Sequence, residues 1–231
     1  MTLCRPRSLF PPRSLLSPFP LLALLALLPA CRDPSSAVPH ARTSATASPV
    51  PGATQAPVVA NAPDAQSIAI TPENTTIGFV GSKVTATHEG SFGAFDGVLS
   101  FSASHPEASR LRVNIDMNSV RIDPPRLRNH LLRGDFFQAD QFPRATFEAT
   151  DIRVGGEGGA THTAVGRLTL RGVTREITFP ITVTVSPTEV AVRSEFSINR
   201  RDFGIVYAGM ADDLVRDGVV IRFAIHAHRP T

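Results

Sequence analysis

The sequence predicts an all-β fold of about eight antiparallel strands, preceded by a long N-terminal part without regular structure. From Gln66 onwards, short segments alternate apolar with polar residues, as expected when successive side chains of a strand point to opposite faces. Gly, Pro, Asp and Asn separate these segments, which is typical of turns between strands. No helices alternate with the strands, so the pattern does not fit a parallel sheet.

The first thirty residues have the features of a secretory signal. Arg5, Arg7 and Arg13 are their only charges, and they precede an apolar run at residues 21–28 that small residues follow. A membrane-spanning helix needs about 20 apolar residues, and this run is much shorter. We therefore expect residues 1–30 to be a signal peptide.

The end of this signal, Leu28-Pro29-Ala30-Cys31, is similar to the lipobox of bacterial lipoproteins, in which the cysteine is lipidated. Pro29 departs from the pattern, because a small residue such as Ala, Ser or Thr is usual there. An ordinary secreted protein is the alternative. Cys4, the only other cysteine, lies in the predicted signal, so the mature domain cannot rely on disulfides. The similarity implies a lipid anchor on Cys31 and a periplasm-facing position in the bacterial cell envelope.

The mature chain has no excess charge and begins with a polar segment. Without residues 1–30, Lys and Arg fall from 23 to 20 against 20 Asp and Glu, so the formal charge is zero. Nucleic acid is not an expected partner, because no basic patch with interleaved aromatic residues is present. Residues 31–65 are rich in Pro, Ala, Ser and Thr and predict a disordered tether. The folded domain is expected at residues 66–231.

The alternation is clearest in "TREITFPITVTV", where Ile177, Phe179 and Ile181 fall on one face. Pro180 cannot donate to a ladder, which indicates an edge or a bulge. The same period recurs in "TIGFVGSKVTA", "GVLSFSA", "RLRVNIDM", "ATFEATDIRV", "GRLTL", "EVAVRSEFSI" and "GVVIRFAIHAH". Eight such strands could form two packed sheets or one closed barrel, and the period alone does not choose between them.

No known constellation for catalysis or metal binding follows the signal. The sequence has no Gly-rich phosphate loop, nucleophile elbow or zinc-protease motif. His226 and His228 are two residues apart but lack an evident third ligand. Asp212, Asp213 and Asp217 lack the spacing of a calcium loop. We therefore expect neither an enzyme, a bound metal nor a cofactor.

Five segments together resemble the YceI-like polyisoprenoid-binding family of bacterial periplasmic proteins. They are "GFVGSKVTATHEGSFGAFDGVLSF", "VNIDMNSV", "NHLLRGDFFQADQFPRATFEATDI", "GRLTLRGVTREITFPITV" and "INRRDFGIVYAGMADDLVRDGVVI". They cover the chain from about Ile68 to His228 in the family's order, and the phenylalanine spacing of the third is especially specific. The resemblance implies an eight-stranded antiparallel lipocalin-like barrel with a short helical segment at one end. It also implies a cavity for long isoprenoids, isoprenoid quinones or similar amphiphiles, without a metal or redox cofactor.

In such a barrel, apolar side chains are expected to form the cavity wall and charged side chains its mouth. Residues 126–137 would form the short helical connection, with Phe136 and Phe137 capping or lining the cavity. The candidates for ligand contact are Phe79, Phe92, Phe95, Phe101, Met117, Leu131, Phe136, Phe137, Phe142, Phe147, Phe179, Phe196 and Phe223. The candidates for head-group contact are Lys83, Arg126, Arg128, His130 and Arg200.

The leading functional hypothesis is a lipid-anchored carrier or buffer of isoprenoid-type lipids in the envelope. One alternative is a redox or stress accessory protein that acts with an isoprenoid quinone. Another is an interaction module whose barrel is solid and whose outer face binds a partner. An interior filled by Phe136, Phe137 and Phe147 would favour that last alternative.

Overall fold

The computed structural model of the protein describes residues 33–45, 64–102 and 104–229. In these residues lie one α-helix, α1 (Pro125–Leu131), and fourteen strands. The strands are β1 (Arg42–Ala45), β2 (Gln66–Ile70), β3 (Thr75–Ser82), β4 (Thr87–Phe92), β5 (Phe95–Phe101), β6 (Arg110–Asp116), β7 (Val120–Ile122), β8 (Arg144–Val154), β9 (His162–Leu170), β10 (Val173–Val185), β11 (Glu189–Asn199), β12 (Gly209–Met210), β13 (Asp213–Leu214) and β14 (Gly218–His228). Short 3-10 helices lie at Pro34–Ala37, Pro106–Ala108, Met117–Ser119, Glu157–Gly159 and Arg200–Phe203. The predicted signal peptide and Cys31 lie outside the described residues.

The main sheet is antiparallel and closes on itself. β3 pairs with β14 on one side and with β4 on the other. From β14 the ladder continues through β11, β10, β9, β8 and β6 to β5. Two bent segments complete the ring, because β4 leads into β5 and β6 leads into β7, which pairs with β4. With each bent segment counted as one strand, eight strands surround the interior, and the predicted barrel is confirmed.

Alternation along the strands directs one row of side chains into the barrel. On β10, Ile177, Phe179 and Ile181 are at most 5% exposed, whereas Thr178 between them is half-buried and Thr182 is exposed. The inward rows of the other strands meet them in one large apolar cluster. Full burial of each such side chain contributes about 1.5–3 kcal/mol, and partly buried side chains of the inner face pack against the fully buried ones.

The barrel wall parts between β10 and β11. These strands pair only between Thr182–Val185 and Val190–Arg193. Where the ladder ends, the hydroxyl of Ser194 donates a hydrogen bond to the carbonyl oxygen of Pro180 at 2.6 Å. Pro180 has no backbone N–H to continue a ladder, which is consistent with the interruption expected there.

The N-terminal segment at residues 33–45 fills this gap. β1 pairs with Arg175–Thr178 of β10. On the side of β11, the backbone N–H of Ala41 donates to the carbonyl oxygen of Ser197 at 2.8 Å. The backbone N–H of Ser197 in turn donates to the carbonyl oxygen of Pro39 at 2.9 Å. The segment therefore acts as an inserted strand that satisfies backbone groups of both neighbours.

This insertion differs from the disordered tether that the composition of residues 31–65 predicts. The physical reason is that the segment needs little apolar surface, because backbone hydrogen bonds to two parted strands hold it. Burial adds to them at Ser35, which is only 3% exposed. The remainder of the predicted tether, residues 46–63, lies outside the described residues.

One end of the barrel carries α1 and a second apolar cluster. α1 starts with Pro125 in the first turn, a position where proline suits a helix. Its Leu131 packs with Phe136, Phe79 and Val120. The helical connection expected at residues 126–137 is thus present but shorter, and turns follow it. Among the described residues, no helix has the length and apolarity needed to cross a membrane.

Candidate functional site

The barrel encloses a cavity of about 160 Å³. Side chains from strands around the whole barrel line it, and only Thr75 and Arg200 among them carry a nitrogen or oxygen atom. The cavity is therefore an apolar chamber inside the closed sheet. The interaction-module alternative required a filled interior, and the cavity argues against that requirement.

Eight of the predicted ligand contacts line this cavity. They are Phe79, Phe92, Met117, Phe137, Phe147, Phe179, Phe196 and Phe223. Their rings also contact one another: the centroids of Phe79 and Phe92 are 5.6 Å apart, and Phe179 stacks on Phe196 at 4.1 Å. The structure thus brings these residues to one place, and their contact with a ligand stays a prediction.

Two of the other predicted contacts, Leu131 and Phe136, belong to the cluster beneath α1. Phe136 packs against the rings of His130 and Tyr207, with centroid distances of 5.0 and 5.2 Å. Leu131 ends α1 and Phe136 lies in the turns that follow it, so the two-residue period of strands could not assign their direction. Phe136 therefore closes the end of the barrel from outside the cavity lining.

Three further predicted contacts occupy other parts of the interior and its edge. Phe142 lies in the turn before β8, and its ring covers Gly172. Phe95 is buried in the main cluster without lining the cavity. Phe101 lines a separate, smaller cavity of about 50 Å³. The sequence predicted that these β5 side chains face inward, but it did not predict their positions along the barrel axis.

Most of the remaining wall is aliphatic and was absent from the predicted ligand contacts. These residues include Ile77, Leu111, Val113, Ile115, Leu168, Leu170, Ile177, Ile198, Ile205, Val219, Ile221 and Ile225. Nearly all of them could have been predicted from the strand alternation, because it places them on the same inward face of the sheet as the predicted phenylalanines. Ile205 is the exception, since it lies in a loop without any period.

Arg200 is the one charged side chain of the cavity lining, and it is 3% exposed. Burial lowers the pKa of its guanidinium, and Asp217 partly offsets this effect, but arginine remains charged at physiological pH. Its donors bind the carbonyl oxygens of Ile205 at 2.7 Å, Arg216 at 3.0 Å and Val215 at 3.1 Å, and the Asp217 carboxylate at 3.0 Å. Arg200 therefore holds the loop that brings Ile205 to the cavity.

Lys83, another head-group candidate, does not line the cavity. It follows the end of β3, and its ammonium group forms an ion pair with Asp213. This hydrogen bond holds the pKa of the Asp213 carboxyl below its usual range, and Thr85 donates to the same carboxylate at 3.0 Å. The pair fastens the β12–β13 hairpin to the end of β3.

The other three head-group candidates belong to α1. Arg126 is exposed. Arg128 donates to the carbonyl oxygens of Val120 at 2.9 Å and Asn118 at 2.7 Å, so it ties the helix to β7. His130 packs edge-on against the aromatic rings beside it. A head-group role for any of these residues stays a prediction.

The chemistry of the site is that of an apolar binding chamber. A cavity of this kind binds by removing apolar ligand surface from water, and a few polar groups fix orientation. Within residues 33–45, 64–102 and 104–229, no three His, Cys, Asp or Glu side chains cluster as metal ligands would.

An eight-stranded antiparallel barrel around an apolar chamber defines the class of barrels that can enclose one small apolar ligand. Comparison with known protein families agrees with this class of barrel. The chain belongs to the YceI-like domain family, whose model matches residues 69–227.

Two curated relatives share part of this domain. The chain is 39% identical over 89 residues to the UPF0312 protein YE1254 of Yersinia enterocolitica, covering 38% of this chain and 45% of the relative. It is 38% identical over 89 residues to a UPF0312 protein of Yersinia pestis, with the same coverage. The chain thus spans less than half the length of these relatives.

Two solved structures have the same fold. BcnA of Burkholderia cenocepacia superposes with a TM-score of 0.59 at 24% identity, covering 66% of this chain and 96% of BcnA. A polyisoprenoid binding domain from Saccharophagus degradans gives a TM-score of 0.54 at 20% identity, covering 72% and 99%.

Proposed function

We propose that the protein binds the apolar chain of an isoprenoid-type lipid, such as a polyisoprenoid or an isoprenoid quinone, inside its barrel. The observation that carries this proposal is the chamber of about 160 Å³ with an almost wholly apolar lining. Membership of the YceI-like family supports it, and so does the similar fold of a domain described as polyisoprenoid-binding.

Burial alone can drive such binding. Each methylene-sized group removed from water contributes about 0.8 kcal/mol, so one five-carbon isoprene unit contributes about 4 kcal/mol before costs. Loss of ligand freedom and imperfect desolvation reduce the net affinity well below this sum. The lining needs only shape and apolar surface to hold the chain.

The proposed setting is the bacterial cell envelope, where the protein would act as a carrier or buffer of this lipid. Sequence features support the setting: a basic start, a short apolar run and the lipobox-like residues before Cys31. A lipid on Cys31 would keep the barrel at a membrane that contains isoprenoid lipids. Metabolic labelling with a radioactive fatty acid tests the anchor, and Cys31→Ser should abolish the label. Equal labelling of both chains would contradict the anchor without affecting the binding proposal.

The binding proposal is tested by extracting the purified protein with organic solvent and identifying the extract by mass spectrometry. We expect an isoprenoid lipid in the extract after expression in a bacterial envelope, in clear excess over the extract of an unrelated envelope protein purified in the same way. Protein that is folded but carries no isoprenoid would contradict the proposal.

Two matched variants connect the bound lipid to the cavity. Ile77→Phe adds a ring to a half-buried position in the cavity lining. We expect it to reduce the extracted lipid at least fivefold, which corresponds to a loss of about 1 kcal/mol in binding free energy. Val98→Phe adds the same ring to a strand position that is 48% exposed. It should retain the lipid of the unmodified protein, and equal lipid in both variants would exclude the cavity as the site.

A further inference from the structure

Beside the main cavity, the described part of the barrel interior contains a second apolar cavity. The main cavity of about 160 Å³ has a neighbour of about 50 Å³ toward Phe101 and Ser109. Ser109 is the only lining residue of the smaller cavity with a side-chain nitrogen or oxygen. Five residues line both spaces, and they are Leu111, Phe147, Phe179, Phe223 and Ile225.

Three of these shared residues form a connected row of rings, which we call the aromatic partition. It consists of Phe147 on β8, Phe179 on β10 and Phe223 on β14. The ring centroids of Phe147 and Phe179 are 5.6 Å apart, and those of Phe179 and Phe223 are 6.1 Å apart. Such tilted and edge-to-face pairs are favourable contacts between aromatic rings. The row therefore separates the two cavities.

The partition is fixed at its centre and less confined at its ends. Phe179 is 3% exposed and stacks on Phe196 with only 10° between the ring planes. Phe147 and Phe223 are half-buried, because they border the cavities. The ring of Phe147 also covers Gly166, where a methyl group would collide with it. A substitution at Phe223 thus opens the partition with the least disturbance of the other rings.

The size of the main cavity makes the partition relevant to ligand choice. An apolar cavity of about 150 Å³ binds one benzene ring, so a cavity of 160 Å³ encloses about one isoprene unit. Any further unit of the same chain that continues along the barrel interior meets the aromatic partition. The smaller cavity beyond it has the same apolar character.

We propose that Phe147, Phe179 and Phe223 determine how much of an isoprenoid chain the barrel encloses. The partition stops the chain at the main cavity, and the smaller cavity is a second compartment that becomes available when a ring is removed. This inference rests on the proposed function and adds the chain length that the site selects.

The test measures affinity across a series of prenols with two, three and four isoprene units, using displacement of a fluorescent apolar dye from the delipidated protein. For the unmodified protein, we expect the dissociation constants of geraniol, farnesol and geranylgeraniol to agree within about threefold. For Phe223→Ala, geranylgeraniol should bind at least about tenfold more tightly than geraniol, because the joined cavities bury more of the chain.

Two further variants separate this effect from a change in stability. Phe101→Ala removes the same ring from a residue that lines only the smaller cavity, and its length profile should match the unmodified protein. Phe223→Leu removes less volume and should give an intermediate profile if Phe223→Ala is poorly folded, as judged by urea unfolding.

Each outcome bears on a specific claim. Identical length profiles for Phe223→Ala and the unmodified protein would overturn the role of the partition while leaving the proposed function intact. A tenfold gain in affinity for each added isoprene unit in the unmodified protein would also overturn the role of the partition. Failure of every prenol to displace the dye from folded protein would overturn the proposed function and this inference together.

Discussion

The imidazole Nδ1 of His40 lies 2.7 Å from the hydroxyl oxygen of Ser197, and this contact fastens the inserted N-terminal segment to β11. Ser197 is completely buried, and its hydroxyl oxygen is also 3.3 Å from the carbonyl oxygen of Ser35. A single hydroxyl group therefore contacts two parts of the segment that fills the gap between β10 and β11.

We expect Ser197→Ala to lower the free energy of unfolding by about 1–2 kcal/mol, because it leaves buried polar partners of the hydroxyl unsatisfied. Urea unfolding measures this loss, and hydrogen exchange should show faster exchange at residues 39–45. Ser100→Ala is the control, since Ser100 is half-buried on β5 and should change stability by less than about 0.5 kcal/mol. Equal stability of the two variants would mean that the segment is not fastened here.

A second prediction concerns the close approach of Phe79 to Gly90 on the neighbouring strand. A methyl group at Gly90 would overlap the Phe79 ring, whereas a methyl group at Gly81 would meet no atom within 4 Å. We expect Gly90→Ala to lower the free energy of unfolding by about 1–3 kcal/mol through overpacking, and Gly81→Ala to change it little. Thermal unfolding compares the variants. Phe79→Leu should restore part of the stability of Gly90→Ala, and absence of any loss in Gly90→Ala would contradict the overlap.

A third prediction concerns the buried guanidinium of Arg200. Arg200→Met removes the donor that binds three carbonyl oxygens of the loop leading to β14, and we expect a loss of about 3 kcal/mol. Arg201→Met is the matched control, because Arg201 contacts the same Asp217 but its side chain is 51% exposed. Its loss should stay below about 1 kcal/mol. Similar losses in urea unfolding would show that Arg200 is not the structural centre of this loop.

A fourth prediction concerns acid stability and Glu148 on β8. Burial alone would raise the pKa of its carboxyl, but hydrogen bonds from Arg167 at 2.7 Å and Arg112 at 3.0 Å outweigh this effect and lower the pKa. A lowered pKa in the folded state means that the carboxylate stabilises the fold at pH values above the usual glutamate pKa of 4.5. This stabilisation is lost as the pH falls through the lower folded value.

Glu148→Gln should therefore lower the free energy of unfolding by about 1 kcal/mol at neutral pH. Below about pH 4.5, the stability of this variant should fall less steeply with decreasing pH than that of the unmodified protein. Urea unfolding at a series of pH values measures this difference. Glu107→Gln is the charge-matched control, since Glu107 lies in a 3-10 turn with its side chain 54% exposed. An unchanged acid limb in Glu148→Gln would contradict the assignment.

Sequence alternation predicted much of the fold because strand geometry is local. The inward face of β10 could be assigned from Ile177 and Phe179 alone, and the same reasoning placed Phe196 and Phe223 in the cavity lining. The period gives the face of a residue but not its height along the barrel. Phe101 was therefore assigned to the right face but lines the smaller cavity instead.

The parts that sequence reasoning missed depend on contacts between distant segments. Residues 33–45 look like a tether because their stabilising partners, β10 and β11, lie more than a hundred residues away in the chain. Arg200 was expected to meet a ligand head group at the cavity mouth, and the structure places it in the cavity lining with its guanidinium buried against carbonyl oxygens of a loop. Neither arrangement has a signature in local composition.

The insertion of residues 33–45 changes the distance that a lipid anchor could span. A disordered segment covering residues 31–65 could reach roughly 110 Å when extended, but Cys31 is only two peptide units from Asp33, or about 7 Å. Asp33 in turn lies 3.5 Å from Arg216, next to the first residues of β14. If Cys31 carries the proposed acyl chain, the domain would lie directly against the bilayer, and the proposed lipid binding would take place at the leaflet surface without travel through the surrounding fluid.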